Sequence, residues 1–195
     1  YRGQCAEFCG HQHAKMAFLV IAHEPAEYEK WAEAQRQPAK EPSNELQKRG
    51  REVFLSSPCI LCHTIGGTLA QAKMAPDLTH LAGRATIAAG TLPNTRGNLG
   101  GWILDPQSTK PGVAMPPTAL AASDLQALLA YLEAVDGLDF ELVLPFAEGR
   151  QLQDRCPWSG GSGSAGEKLR WTRSTADVAA GGAAVAVRGD RGESD

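Results

Sequence analysis

The sequence predicts a chain of several units: a mostly β segment at the N-terminus, an all-α domain in the middle and a disordered tail. Residues 17–22 form a continuous apolar run rich in β-branched and aromatic side chains, which indicates a buried strand. Amphipathic patterns near residues 44–55 and 123–132 indicate two helices. After Leu144 the apolar periodicity ends, which is typical of a disordered segment.

Composition limits the functions that the chain can have. Its 195 residues suffice for one domain or two small ones, and 43% hydrophobic with 21% charged residues is ordinary for a globular protein. The formal net charge of -3 argues against binding to nucleic acid. No apolar run reaches the length of a membrane span. Because the chain begins with Tyr1, we expect a C-terminal fragment whose membrane segment lies upstream.

Four side chains near the N-terminus carry metal-binding atoms: Cys5, Cys9, His13 and Met16. A tight loop can bring them to one place, and thiolates together with imidazole and thioether select copper. A zinc site of two cysteines and a histidine is one alternative, although zinc rarely uses Met as a ligand. A pair of buried free thiols is the other.

The elements after this loop complete the N-terminal unit, which we expect to span residues 1–34. Pro25 suits the first position of a helix, where Glu27 interacts favourably with the helix dipole. Residues 35–42 are polar and contain two prolines, a composition typical of a linker.

The middle domain is predicted at residues 43–137. Ser43 is the candidate N-cap of its first helix, and Gly50 would let another helix approach closely. The predicted inner face of this helix is Leu46, Gly50, Val53 and Phe54. The second helix has a capping-box pattern at Ser123 and Gln126. Its predicted apolar face is Leu125, Leu128, Leu129 and Leu132.

Between these helices lies Cys-x-x-Cys-His at residues 59–63, the pattern that attaches a c-type haem. Cys59 and Cys62 can form thioethers with the two vinyl groups of the porphyrin, while His63 directs its imidazole at the iron. A thioredoxin-like redox pair would need a parallel βαβ context, and half a zinc site would need a second ligand pair, neither of which follows. A His/Met pair on the iron would give a relatively high potential suited to electron transfer.

Three side chains are candidates for the sixth iron ligand: Met74, His80 and Met115. Met74 and His80 lie on either side of residues 75–78, which a similarity to cytochromes c places beside His63, so a short tether makes the opposite face of the haem difficult to reach. Met115 lies in a proline-rich loop before the second helix, and prolines restrict such a loop in the unfolded chain too. Loop position therefore favours Met115.

The pattern Cys-x-Glu-x-Cys-Gly-x-x-His-x-x-Met resembles the binuclear copper (CuA) loop of cytochrome c oxidase subunit II. The resemblance implies that Cys5 and Cys9 bridge two copper ions, that His13 and Met16 each bind one, and that the Glu7 carbonyl is a weak ligand. It implies that the Glu7 side chain faces a magnesium ion at the border with subunit I. It also implies that the N-terminal unit is the C-terminal remnant of a cupredoxin-like β-barrel.

The middle domain resembles the all-α class I cytochrome c family, whose terminal helices cross at a glycine and enclose the haem. The similarity includes the segments Ala75-Pro76-Asp77-Leu78 and Gly83-Arg84. It implies that the Pro76 carbonyl accepts a hydrogen bond from Nδ1 of His63. Arg84 and Trp102 are candidates for contact with the haem propionates, with a solvated arginine and a core tryptophan as the alternatives.

Residues 102–116 are also similar to the cytochrome c domain fused to subunit II in caa-type oxidases. The implied function is electron transfer from an external donor, cytochrome c or a quinol:cytochrome c reductase, through haem c and CuA. Subunit I would then reduce oxygen to water and pump protons, beside the other oxidase subunits. The implied location is the periplasmic face of the bacterial plasma membrane. The alternative is a free-standing monohaem c-type electron carrier whose N-terminal segment binds zinc or no metal.

The tail is predicted at residues 138–195. Arg, Asp, Gly and Ala are mixed there without periodicity, and Cys156 has no partner at motif spacing. We expect this tail to be disordered and assign it no function.

Overall fold

The structure is a computed structural model that describes residues 1–136 and the backbone of residues 184–188. The helices are α1 (Pro25–Gln35), α2 (Glu45–Ser56), α3 (Arg96–Leu104), α4 (Pro106–Thr109) and α5 (Ala122–Leu132). The strands are β1 (Arg2–Gln4), β2 (Ala17–His23), β3 (Thr86–Ile87), β4 (Leu92–Pro93) and β5 (Ala184–Arg188). Single 3-10 turns lie at His13–Lys15 and Pro58–Leu61. Within these ranges, no helix combines the length and apolar character that a membrane span requires.

The N-terminal sheet has the order β1-β2-β5. β1 pairs antiparallel with β2, placing Arg2 opposite Leu19, and β5 pairs parallel with β2. The predicted strand is therefore confirmed, but its predicted burial is wrong, since only Ala17 is buried and Ile21 is exposed. A continuous apolar run is buried when layers cover both faces of its sheet. The described part of this unit is an open three-stranded sheet rather than a closed cupredoxin-like barrel, so part of β2 stays exposed.

β5 lies within the segment predicted as a tail and was not predicted as a strand. Its Ala-Val-Ala-Val sequence contains β-branched residues, which favour strands. The rest of the tail prediction, including Cys156, lies outside the described residues.

The caps of the two main helices differ from those predicted. The Asn44 side chain, not Ser43, accepts a hydrogen bond from the Gln47 amide at 2.9 Å, so Asn44 is the N-cap of α2. Ser43 instead donates from its backbone amide and its hydroxyl to Oε1 of Gln47. α5 begins after Ala121 without a side-chain cap, and Ser123 lies inside its first turn, so the predicted capping box is absent. The predicted cap is displaced by one residue in α2, whereas the predicted capping pattern is not used in α5.

The core of the middle domain forms where α2 crosses α5 at Gly50. A Cβ atom at Gly50 would lie 2.0 Å from the carbonyl oxygen of Ala127 and 2.7 Å from Cβ of Tyr131, so this close approach requires glycine. The prediction for Leu46 is wrong, since its side chain is 50% exposed one turn before the crossing. The two helices together bury Gly50, Val53, Phe54, Ala127, Leu128, Leu129, Tyr131 and Leu132.

The predicted linker lies against the middle domain. The Ala39 amide donates to the Gly66 carbonyl at 3.0 Å, and the Lys40 amide donates to the Val135 carbonyl at 3.0 Å. Although its composition is polar, the linker thus makes fixed backbone hydrogen bonds, and these position the N-terminal unit beside this domain.

Candidate cofactor sites

The Cys-x-x-Cys-His motif lies on the 3-10 turn that follows α2. The amides of Cys62 and His63 both donate to the Cys59 carbonyl, at 3.2 and 3.0 Å, which closes the turn. Both cysteines are free thiols and partly buried. One compact turn therefore presents two thiols and an imidazole, the set that covalent haem attachment requires.

The imidazole of His63 is oriented by the carbonyl of Pro76, which lies 2.7 Å from Nδ1. This is the hydrogen bond expected from the cytochrome c resemblance, and it leaves the Nε2 lone pair for a metal. Burial lowers the pKa of His63, the Pro76 hydrogen bond opposes this shift, and the charge of Arg84 lowers the pKa further. The lowered pKa favours the neutral form of the ring, which is the form that binds metals.

The Pro76 carbonyl is itself fixed from both sides. The Ala75 amide donates to the Cys62 carbonyl and the Leu78 amide to the Thr64 carbonyl, each at 2.8 Å. These bonds pair the segment around Pro76 with the segment around His63. The orientation of the imidazole is consequently set by backbone geometry, which makes it rigid.

The two residues expected near haem propionates are both partly buried. Arg84 donates from Nη2 to the Asp77 carbonyl, and burial lowers the pKa of its guanidinium, while Asp77 and Asp136 act to raise it. Trp102 packs against the hydrophobic core from α3. Arg84 is thus held beside the Pro76 segment, while Trp102 contributes apolar surface.

The structure separates the three candidates for the sixth iron ligand. Met74 is 84% exposed. His80 is only 8% exposed, and its two ring nitrogens lie 3.3 Å from Asp136 Oδ1 and 3.1 Å from the Gln37 carbonyl. Both nitrogens of His80 are therefore already engaged, which makes it a structural residue of the core. Met115 is partly buried in the loop before α5.

The N-terminal loop brings its metal-binding side chains together. Cys9 Sγ lies 3.6 Å from Cys5 Sγ, 3.7 Å from His13 Nδ1 and 3.4 Å from Met16 Sδ. The Glu7 carbonyl lies 3.1 Å from Cys5 Sγ, and its side chain is exposed. The contact with the Cys5 thiol raises the pKa of Cys9. This set of thiols, imidazole, thioether and carbonyl has the soft donor chemistry that copper favours.

The loop closes because the strands on either side of it pair. The Cys5 amide donates to the Met16 carbonyl at 2.9 Å, and the His13 amide donates to the Gly10 carbonyl at 3.0 Å. Gly10 has a φ of 116°, which favours glycine. Backbone turns rather than a packed core therefore hold the ligands together.

The same loop docks on the middle domain through Lys110, which is only 5% exposed. Its ammonium donates to the carbonyls of Lys15 at 2.8 Å and Ala88 at 3.1 Å. The Ala17 amide donates to the Ala89 carbonyl at 3.0 Å. Ala88 and Ala89 have φ values of 53° and 55°, a backbone conformation that costs about 1–2 kcal/mol per non-glycine residue. Two residues with a strained backbone conformation thus present their carbonyl oxygens to Lys110 and to the N-terminal unit.

Two further contacts extend this docking surface toward Met115. Lys15 Nζ donates to the Thr109 carbonyl at 2.6 Å, and Gln12 donates to the Pro111 carbonyl. Burial lowers the pKa of Lys110. The sequence offered no local signal for this surface, because a lysine in a proline-rich loop is usually exposed and its burial depends on a segment far away in the chain.

Comparison with known proteins finds a family model for the middle domain and relatives that align with about two thirds of the chain. The family model described as cytochrome c matches residues 47–136. The chain is 43% identical over 136 residues to cytochrome c oxidase subunit 2 of Alkalihalophilus pseudofirmus, covering 69% of this chain and 39% of that protein. The proteins of the same name from Bacillus subtilis and Bacillus sp. strain PS3 are 33% and 36% identical, each covering 68% of this chain and 38% of the relative. The chain spans about two fifths of the length of these curated relatives.

Proposed function

Since residues 47–136 are a cytochrome c domain and the chain is a homologue of cytochrome c oxidase subunit 2, we propose that it is the electron-entry part of a haem-copper terminal oxidase. An external donor, cytochrome c or a quinol:cytochrome c reductase, delivers electrons to the middle domain. They pass through the N-terminal copper loop to subunit I, where oxygen is reduced to water and protons are pumped. These domains face the periplasm, beside subunit I and the other subunits.

One observation carries this proposal: the loop with the four metal-binding side chains docks on the segment that leads to Met115. Lys110 and Thr109 contact the loop at Lys15, which immediately precedes Met16. The segments that carry Met16 and Met115 are therefore in direct contact, which brings the two candidate sites near one another as a relay between two cofactors requires.

The residues of the middle domain fit a covalent haem. Cys59 and Cys62 would hold it through thioethers, and His63 would bind the iron through Nε2 while Pro76 fixes the ring. We assign the sixth position to Met115, because Met74 faces solvent and both nitrogens of His80 are engaged. When bound, the haem supplies one-electron storage at a potential that its axial ligands help to set. Arg84 and Trp102 would border it.

The residues of the N-terminal loop fit a copper centre. Cys5 and Cys9, whose sulfur atoms lie 3.6 Å apart, would hold the copper, and the resemblance to the CuA loop implies that two copper ions share both thiolates. His13 and Met16 would each bind one ion, and the Glu7 carbonyl would be a weak ligand. We further propose that the exposed Glu7 carboxylate faces magnesium at the border with subunit I.

The second candidate function is a free-standing monohaem carrier with a zinc site. Atoms of Cys5, Cys9 and His13 lie within 4.8 Å of one another, a grouping that zinc could also use. The thioether of Met16 at 3.4 Å from Cys9 Sγ favours copper, which accepts thioether ligands.

The test of the relay uses this chain fused behind the N-terminal part of the Alkalihalophilus pseudofirmus relative, matured with haem and loaded with copper. Assembly of the copper centre is read by electron paramagnetic resonance, as one electron shared by two coppers. After photoreduction of the haem, we expect its oxidation to match reduction of the copper. In the variant with Cys5→Ser and Cys9→Ser, the haem should stay reduced. Haem that stays reduced beside an assembled copper centre would contradict the relay, and a chain that takes up zinc but no copper would support the alternative.

A further inference from the structure

The part of the loop from Gly112 to Met115 is bonded by the side chain of Gln107. Its Nε2 donates to the carbonyls of Val113 at 2.8 Å and Met115 at 2.9 Å. Its Oε1 accepts from the Gly112 amide at 2.9 Å. Both N–H donors and the carbonyl oxygen of this carboxamide are thus used on three residues of the loop, Gly112, Val113 and Met115.

Gln107 is in turn fixed at the start of α4. Oδ1 of Asp105 accepts hydrogen bonds from the amides of Gln107 at 3.1 Å and Ser108 at 3.2 Å, which caps this short helix. Pro106 occupies the first helical position and is fully buried. The carboxamide therefore projects from a backbone that has little freedom.

The loop needs such an anchor because its own backbone offers few hydrogen bonds. Gly112 has a φ of 84°, a conformation that ends any regular continuation of the preceding turn. Pro116 and Pro117 have no amide proton to donate. In the described structure, the nearest backbone anchors are the Val113 amide on Lys110 and the Thr118 amide on Leu104. Gln107 supplies the contacts between these two anchors.

We propose that Gln107 is a positioning residue that holds the Met115 thioether at the haem iron. This inference depends on the proposed assignment of Met115 as the sixth ligand. A neutral thioether binds iron weakly, so the bond depends on how well the protein holds the sulfur in place. Outer-shell partners of metal ligands typically change metal affinity by about 10- to 100-fold when they are removed.

The experiment uses the 195-residue chain matured with covalent haem and titrates it with imidazole, which competes with Met115 for the iron. In Gln107→Ala we expect imidazole to bind about 10- to 100-fold more tightly, together with a weaker thioether-to-iron charge-transfer band. Gln107→Glu keeps an acceptor for the Gly112 amide but places a carboxylate against two carbonyls, so it should show the same change. The matched control is Gln71→Ala, because Gln71 donates to the Thr68 carbonyl in a different loop.

The variant Met115→Ala separates failure of this inference from failure of the ligand assignment. If Met115→Ala leaves the charge-transfer band intact, the assignment of Met115 is wrong, and the role of Gln107 falls with it. If Met115→Ala abolishes the band but both Gln107 variants bind imidazole within about twofold of the unmodified chain, only the positioning role is overturned. If Gln107→Ala fails to retain haem, the Gln107→Glu titration decides by the same criterion.

Discussion

The two candidate cofactor sites of this chain differ in what holds their side chains in place. His63 is oriented by a carbonyl whose own segment is paired with the backbone around it, next to a core built from α2 and α5. In the N-terminal loop, Cys9 is exposed and Met16 is 47% exposed. Convergence of ligands therefore needs only a closed loop, whereas a rigid ligand orientation needs a packed support.

Part of the support for the N-terminal loop comes from the other unit. The buried ammonium of Lys110 belongs to the middle domain, yet it bonds the carbonyl next to Met16. In the described residues its hydrogen bonds go to carbonyl oxygens, which cannot neutralise its charge. Burying this cation costs free energy, which offsets part of what its two hydrogen bonds contribute to the docking.

The largest expected effect tests whether the two cysteine pairs have separate roles. In the variant with Cys59→Ser and Cys62→Ser, haem attachment should be lost completely, because no thiol remains at the turn that leads to His63. In the matched variant with Cys5→Ser and Cys9→Ser, covalent haem should be retained in full. Mass spectrometry after acid-acetone extraction measures both. Haem covalently bound to the first variant would show that the N-terminal thiols can substitute.

The second effect tests how far the stability of the middle domain, which carries the candidate haem site, depends on the helix crossing at Gly50. In Gly50→Ala, the new methyl group would meet the Ala127 carbonyl oxygen at 2.0 Å, and backbone atoms cannot move aside as a flexible side chain can. We expect a loss of about 3 kcal/mol or more in the free energy of unfolding, at the upper end for overpacking. Urea denaturation measures it.

The control for this change is Gly101→Ala in α3, where a Cβ atom would meet nothing within 4 Å. Replacing an exposed glycine inside a helix by alanine should stabilise the domain by about 0.5–1 kcal/mol. Equal stability of the two variants would mean that the helices do not cross at Gly50 in solution.

Sequence reasoning succeeded where the signal was local. The motif at residues 59–63 and Pro25 at the first position of α1 each depend on neighbours a few positions away, and the position of Gly50 in a helical pattern marked it as a place of close approach. The Pro76 hydrogen bond came from a resemblance that spans a short segment, and it is present in the structure. Spacing was therefore sufficient for the local features, whereas the Pro76 hydrogen bond needed the resemblance as well.

The errors share a different physical cause. Whether Leu46 is buried depends on where α5 crosses, and the exposure of β2 depends on the layers packed against it, so neither follows from periodicity. The burial of Lys110 and the bonds of Gln107 to the Met115 loop depend on the tertiary placement of irregular segments. The predicted N-caps are off by one residue in α2, where Asn44 caps the helix, and by two residues in α5, where Ala121 offers no capping side chain.

A smaller effect tests whether the middle domain supports the N-terminal loop. Lys110→Met removes two charge-assisted hydrogen bonds but also the cost of burying the ammonium, so the net loss should be about 1 kcal/mol. We expect the Ala17 amide, which donates to Ala89, to exchange with solvent several-fold faster. Hydrogen exchange read by NMR measures this rate. Lys15→Met is the control, because the side chain of Lys15 is exposed and its replacement should change the exchange rate of the Ala17 amide less. Equal acceleration in both variants would show that the contact between Lys15 and Thr109, rather than Lys110, supports the docking.

The smallest expected effect concerns the segment after Leu144. Truncation there removes β5, which pairs with β2 from Leu19 to His23, and should increase amide exchange in this part of β2. The free energy of unfolding of the middle domain should change by less than about 0.5 kcal/mol, because its core is built from residues between Val53 and Val135 and the tail sequence has little apolar periodicity to bury. Thermal unfolding followed at the haem measures the domain, and hydrogen exchange measures the sheet. A drop in the unfolding temperature of the middle domain would show that the tail packs on this core. The contrast between a middle domain that supports itself and a docked N-terminal unit would then no longer hold.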